Sequence, residues 1–167
     1  MNIEGRIIHP FGPLYNSGSR ILILGSFPSV KSREQQFYYG HPQNRFWKVL
    51  AALYGEKVPV EIHEKQNLIL THGLALWDSI ASCIITGSSD ASIRKVQPND
   101  LRLILDACPI DKICCNGKKS YEIYTRYLLP ETGREAVCLP STSPANAQWS
   151  LQRLIEAWRM ELQKQSA

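Results

Sequence analysis

What this 167-residue chain lacks excludes several kinds of protein. No apolar run approaches the roughly 20 residues that cross a bilayer; "RILILG" and "RLILDAC" are each broken within a few positions. The start, "MNIEGRIIHPFGPLY", has neither the basic opening nor the apolar stretch of a secretory signal. The chain therefore reads as cytoplasmic, with no membrane partner. Cysteine is sparse and odd in number, at positions 83, 108, 114, 115 and 138. With 44% hydrophobic residues the chain can build its own core, so a disulfide framework is not expected. There is no C-x2-C pair, and the four histidines (His9, His41, His63, His72) are scattered. A tetrahedral metal site needs grouped ligands, so the cysteines read as core thiols, and neither a metal nor an organic cofactor is expected. The G-x4-G-K-[ST] phosphate loop and the G-x-S-x-G nucleophile elbow are also missing. A net charge of +4 permits a polyanionic partner without requiring one.

Four short apolar segments read as strands: Arg20–Gly25, Leu74–Asp78, Lys112–Asn116 and Ala136–Pro140. Each is nearly continuous in apolar residues, as parallel strands covered on both faces should be. Between them run stretches of helical period: Asn44–Tyr54, Val60–Thr71, Asn99–Ala107 with Asn99 as a candidate cap, Lys118–Leu128 and Ala147–Leu162. This alternation predicts an α/β fold, a three-layer α/β/α sandwich around a mainly parallel four-stranded sheet. Residues 1–167 are expected to form a single domain, frayed only at the terminal "KQSA".

In open α/β sheets, sites form outside the carboxyl ends of the strands. The residues there are Ser26–Ser29, Asp78-Ser79, Asn116-Gly117-Lys118 and Ser141–Pro144, and they should converge. Each has an ordinary reading as well. "GSFPS" makes a sharp βα turn, with Gly25 allowing close backbone approach. "LPSTSPANA" stiffens three hydroxyls between prolines, suiting either a ligand grip or a helix start. The lysines of "NGKKSYE" oppose the helix dipole unless an anion visits. Asp78 can accept from a ligand or simply cap a turn.

Taken in order, these segments resemble the uracil-DNA glycosylase superfamily over nearly the whole chain. "LGSFPSVKSREQQFYYGHPQNRFWKVL" resembles the first signature of its mismatch-specific branch, and "CNGKKSYE" that branch's helix start. "LPSTSPANA" falls where the family keeps its second catalytic loop. "GSFP", "FYYGHPQNRFW", "GSSDASIRKVQPND" and "PSTSPA" together resemble the hypoxanthine-DNA (deoxyinosine) glycosylases.

The resemblance implies a monofunctional DNA N-glycosylase, a monomer acting on DNA with deaminated bases. It would flip a nucleotide into a pocket and hydrolyse the base–sugar bond through an oxocarbenium-like transition state. Hypoxanthine is the implied base; a uracil or mismatch glycosylase and a catalytically silent lesion-binding member are the alternatives. Relatives place a polar water-holding residue in the first loop, where this chain has Ser26-Phe27. That role then passes to Asn44, which as an amide positions water rather than deprotonating it, and which could instead cap the helix that follows. Gly25, Ser26 and Phe27 would line the base site, Tyr39 would stack on the flipped base, and Asp78 or Asn116 would read its edge. Ser141, Thr142 and Ser143 would form the second loop, in which serine replaces a His or Asn of relatives, a change that suits a purine leaving after protonation. Ala145 stands where relatives carry a large wedge, with Asn146 next to it, and Lys118 is a further DNA contact.

Overall fold

The computed structural model describes residues 5–163. The central strand β2 (Ile21–Gly25) is built from Ile and Leu, whose side chains suit a pleat covered on both faces. Its Leu22, Ile23 and Leu24 have no exposed surface. β2 pairs in parallel with β3 (Leu74–Asp78) on one side and β6 (Lys112–Asn116) on the other. β6 in turn pairs with β7 (Val137–Leu139), giving a four-stranded parallel sheet ordered β3-β2-β6-β7. This is the sandwich expected from the sequence. On it pack α2 (Phe46–Tyr54), α3 (Ile62–Thr71) and α7 (Leu151–Leu162), while α5 (Lys118–Ile123) packs against β6 and β7.

Trp158 of α7 is fully buried, and its indole N–H donates to the Pro140 carbonyl at 2.9 Å, fastening that helix to the end of β7. Cys114 and Cys115 lie in β6, where burial pushes both thiols up to about 12. Cys83 and Cys108 are buried too, as core thiols should be. Cys138 is not: β7 is an edge strand, so its outer side faces solvent.

A second sheet was not legible in the sequence. β1 (Arg6–Ile8), β4 (Ile80–Ile84) and β5 (Arg94–Pro98) form a three-stranded antiparallel sheet ordered β1-β4-β5. Three causes hide it. β1 is three residues long, β5 reads "RKVQP", and register shifts along β4 break the two-residue period. Lys95 even takes a left-handed φ of 52° within β5. β4 follows β3 after a single residue, Ser79, so this small sheet grows directly from the edge where sites form.

The helices are shorter than their periodic stretches. α2 starts at Phe46 and α7 at Leu151, the latter capped by the Ser150 hydroxyl, which accepts from Arg153 N–H at 3.1 Å. α3 starts at Ile62 behind a capping box of Glu61 and Glu64. α4 is only Arg102–Leu105, and Asn99 does not cap it; its amide donates to the Asp78 carbonyl at 2.7 Å. Past α5 the chain widens into a π turn at Tyr124–Leu128 and then forms α6 (Leu129–Thr132). Pro130 has no N–H for the Arg126 carbonyl, so the regular ladder cannot continue there. α1 (Val30–Gln35), capped by Ser29, was unanticipated. The terminal "KQSA" lies outside the described residues.

Leu24→Ala should lower unfolding free energy by about 3 kcal/mol, since an enclosed strand residue leaves a cavity that the sheet cannot collapse. Urea denaturation checks this; a change below about 1 kcal/mol would mean that β2 is not the centre of the core.

Candidate functional site

Because all four strands of the main sheet run the same way, their carboxyl ends share one edge, and the loops leaving them meet there. They enclose a cavity of about 330 Å³. Gly25, Ser26, Phe27, Tyr39, Asn44, Asp78, Asn116, Ser141, Thr142, Ser143 and Ala145 all line it, as the sequence led one to expect. Lys118 and Asn146 stand outside this lining. Lys118 is exposed on the first turn of α5, and the Asn146 amide donates to the Ser141 carbonyl at 3.0 Å, bracing the loop from behind.

One hydrogen-bonded relay joins three parts of the site. Asn116, at the end of β6, accepts from Thr142 N–H on its oxygen and donates from its nitrogen to Thr142 Oγ1, both at 3.0 Å. The Thr142 hydroxyl in turn donates to Asn44 Oδ1 at 2.8 Å. The same Asn44 oxygen accepts from Phe46 N–H at 3.0 Å. Two backbone N–H groups thus fix which way both amides point, because an amide nitrogen could not face either donor. Thr142 has no exposed surface. The helix-start reading of Asn44 is therefore partly right. Arg45 holds the cap position without a side-chain bond, and Asn44 serves the first turn of α2 from one residue further back.

Arg45 sets the second loop. Its guanidinium donates to the carbonyls of Ser143 (2.9 Å), Asn146 (3.0 Å) and Trp149, while its backbone N–H donates to Thr142 O at 3.0 Å. One planar fork therefore gathers three carbonyls of residues 143–149 that no helix or strand satisfies. This is why α7 begins four residues later than its apolar period suggests.

Asp78 is held from both sides. His9, the residue after β1, reaches over, and its Nε2 lies 2.7 Å from Asp78 Oδ2. The two side chains are only 4% and 5% exposed. Phe11 N–H points at His9 Nδ1 (3.4 Å), so Nε2 carries the proton and donates to the carboxylate. The other carboxylate oxygen lies against Gly25, where a Cβ would come within 2.4 Å of it and 3.2 Å of the Tyr39 hydroxyl. Only glycine fits there.

Tyr39 adopts a left-handed φ of 52° and stacks on Phe46 with ring centroids 3.9 Å apart. Its hydroxyl is buried with no hydrogen-bond partner among the described residues. Burial, and then the Asp78 charge, push its pKa well above the ordinary phenol value, opposed by nearby Asn116. Phe27 packs with Ile80, Cys83, Ile93 and Ile123, so it is both cavity wall and core of the second sheet.

A second carboxylate, Asp90, also lines the cavity. Its Oδ1 accepts from Ser26 Oγ at 3.0 Å. Desolvation raises its pKa, with the Ser26 hydroxyl and Lys119 opposing the shift and Asp78 adding to it. Sequence reasoning missed His9, Arg45 and Asp90 as site residues. Arg45 and Asp90 stood inside "HPQNRFW" and "GSSDASIRKVQPND", whereas nothing local marked His9, which only the unforeseen β1–β4 pairing brings to the site. Among the described residues no three His, Cys, Asp or Glu side chains group to hold a metal ion, and no helix is long and apolar enough to cross a membrane.

The profile of the uracil DNA glycosylase superfamily matches residues 13–162. A hypoxanthine DNA glycosylase of Methanosarcina acetivorans is 36% identical over 145 residues, covering 86% of this chain and 90% of that protein. A hypoxanthine DNA glycosylase of Methanosarcina barkeri is 32% identical over 138 residues, covering 81% and 86%. The solution structure of a candidate uracil DNA glycosylase from Methanosarcina acetivorans superposes with a TM-score of 0.79 at 33% identity, covering 93% of this chain and 97% of that one.

His9→Ala leaves the Asp78 carboxylate buried and unpaired and should cost about 3 kcal/mol of stability. Adding Asp78→Asn should recover part of that loss in urea denaturation. Strictly additive losses would show that the two side chains do not interact.

Proposed function

Since the chain belongs to the uracil DNA glycosylase superfamily, we propose that it is a monofunctional DNA glycosylase that removes hypoxanthine from deoxyinosine and leaves an abasic site. The observation that carries this reading is the cavity, in which a ring, a fixed acceptor and an oriented amide face one space. Sequence identity of 32–36% to hypoxanthine DNA glycosylases supports the choice of base.

Tyr39, backed by Phe46, offers its ring to a flipped base, a contact worth roughly 1–3 kcal/mol. Asp78, with one oxygen occupied by His9, presents the other as an acceptor. Hypoxanthine brings an N1–H donor beside O6. Adenine, from which it arises, carries a lone pair at N1, so the carboxylate would meet another acceptor and reject it. Asn116 is committed to Thr142 through its oxygen and one N–H, which leaves its second N–H for the base edge.

Hydrolysis then needs a water under C1′ as positive charge grows on the sugar. Asn44 places it: the relay consumes its oxygen and leaves Nδ2–H to hold the water. In the second loop, Ser141 Oγ accepts from Ser143 N–H and Ser143 Oγ from Ala145 N–H, both at 3.1 Å. Both hydroxyl protons are thereby free for the leaving base or a phosphate oxygen. Lys118 meets the backbone outside the cavity, and small, exposed Ala145 does not wedge the duplex. A monomer suffices, since each flipped base occupies one such pocket.

Two labelled duplexes, one with a single deoxyinosine and one with uracil, test the reading by the abasic product. Inert inosine DNA with efficient uracil release would assign the pocket to pyrimidines, and tight binding without product would make the protein a silent lesion binder. Asn44→Ala should slow single-turnover release about 100-fold or more while retaining lesion binding. A rate equal to the parent's would remove Asn44 from the chemistry.

A further inference from the structure

The attacking water has a requirement that Asn44 cannot meet alone. Asn44 Oδ1 accepts from Phe46 N–H and Thr142 Oγ1, which occupies both of its lone pairs. The amide therefore faces a ligand only as a donor. A water held by Nδ2–H has one lone pair left for C1′, and its two protons still need an acceptor. One of them must leave as the new C–O bond forms.

Few groups lining the cavity can take it. Asp78 Oδ2 is occupied by His9, and its other oxygen is the acceptor assigned above to the N1–H of the base. His41 Nδ1 already accepts from Gln43 N–H at 3.1 Å, so its other ring nitrogen is the protonated one. Phe27 offers neither donor nor acceptor. The serine and threonine hydroxyls are far too weak as bases. Asp90 remains. Ser26 Oγ tethers its Oδ1 at 3.0 Å, and its Oδ2 has no hydrogen-bond partner among the described residues.

We propose that Asp90 is the catalytic base of this pocket. The assignment rests on the glycosylase reading given above. Asp90 Oδ2 takes one proton from the water that Asn44 holds, while the water oxygen bonds to C1′. The C1′–N9 bond breaks and its electron pair leaves with hypoxanthine. A solvent proton neutralises the departed base, and Asp90 releases its own proton to solvent, so nothing is oxidised or reduced. Its charge also favours the cation that develops on the sugar. Burial makes this carboxylate more basic than an exposed one, which suits a proton acceptor. The charged and titratable groups around it are Lys119 on α5, Asp78 at the end of β3 and Tyr39.

The test uses the full chain on a duplex with one deoxyinosine, under single-turnover conditions across the acid range. Binding is measured on the same duplex carrying a non-cleavable 2′-fluoro-arabino deoxyinosine. Asp90→Asn should cleave about 100-fold more slowly or worse, with Kd within about threefold of the parent. The parent's rate should fall about tenfold per pH unit below the raised Asp90 pKa, because only the ionised carboxylate accepts a proton, and that slope should vanish in Asp90→Asn. Ser26→Ala removes a hydroxyl that holds the Asp90 pKa down, so its acid limb should move to higher pH. Cleavage by Asp90→Asn within about threefold of the parent, a loss of binding in step with rate, or an acid limb unmoved by Ser26→Ala would each overturn the assignment alone. A parent that releases neither hypoxanthine nor uracil would overturn the glycosylase reading and this assignment together.

Discussion

The two amides that face the cavity depend on the bonds that Thr142 makes across it. Its backbone N–H and hydroxyl engage Asn116 at the end of β6, its hydroxyl proton goes to Asn44 before α2, and its carbonyl receives Arg45 N–H. A single side chain of one methyl and one hydroxyl thus ties a strand end, a loop and a helix start into one polar unit. In an interior that excludes water, a fully paired network rigidifies what it joins, whereas a half-paired one would favour rearrangement. Because the proton direction is set from both ends by backbone donors, the amide facing the cavity has one fixed polarity. The chemistry inherits that polarity.

The small antiparallel sheet has a matching role on the opposite wall. It has little core of its own, only Phe27, Ile80, Cys83, Ile93 and Ile123. Its contribution is geometric. Pairing β1 to β4 carries His9 over the carboxyl end of β3, where His9 N–H bonds Ala81 O at 2.8 Å and its ring reaches Asp78. The turn after β4 then returns Asp90 to Ser26. Asp78 itself closes β3 of the sandwich, but its partner His9 and the second carboxylate, Asp90, are placed by the sheet that is not part of it.

This division explains what could be read from the sequence. The parallel strands are short apolar runs, buried along β3 and most of β2 and β6, and that composition made the sheet and the convergence of its loops legible. So were Asp78 and Asn116, which end two of those runs, whereas Tyr39 and Asn44 were marked only by the resemblance that "FYYGHPQNRFW" carries. The antiparallel sheet was not legible, because strands of three to five residues with bulges and a polar edge leave no period. His9 was lost with it. Arg45 was overlooked for another reason: an arginine at a helix start looks like solvent-facing charge, and only the folded loop supplies the carbonyls that claim it. Where a helix starts late or stops early, the cause is local and invisible to periodicity, such as Ser150 capping α7 or Pro130 interrupting the segment after α5.

The phenol oxygen of Tyr39 gives the pocket wall a built-in tension. It is buried with no well-formed hydrogen bond among the described residues, beside Asp78 and Asn116, in space that Gly25 keeps open. A polar atom kept in that state costs on the order of 1–3 kcal/mol. A guest that brings a complementary polar atom relieves the tension on entry, whereas a guest of equal size and purely apolar edge leaves it in place. Discrimination between ligands can in this way lie in the cavity wall, as frustration rather than as attraction.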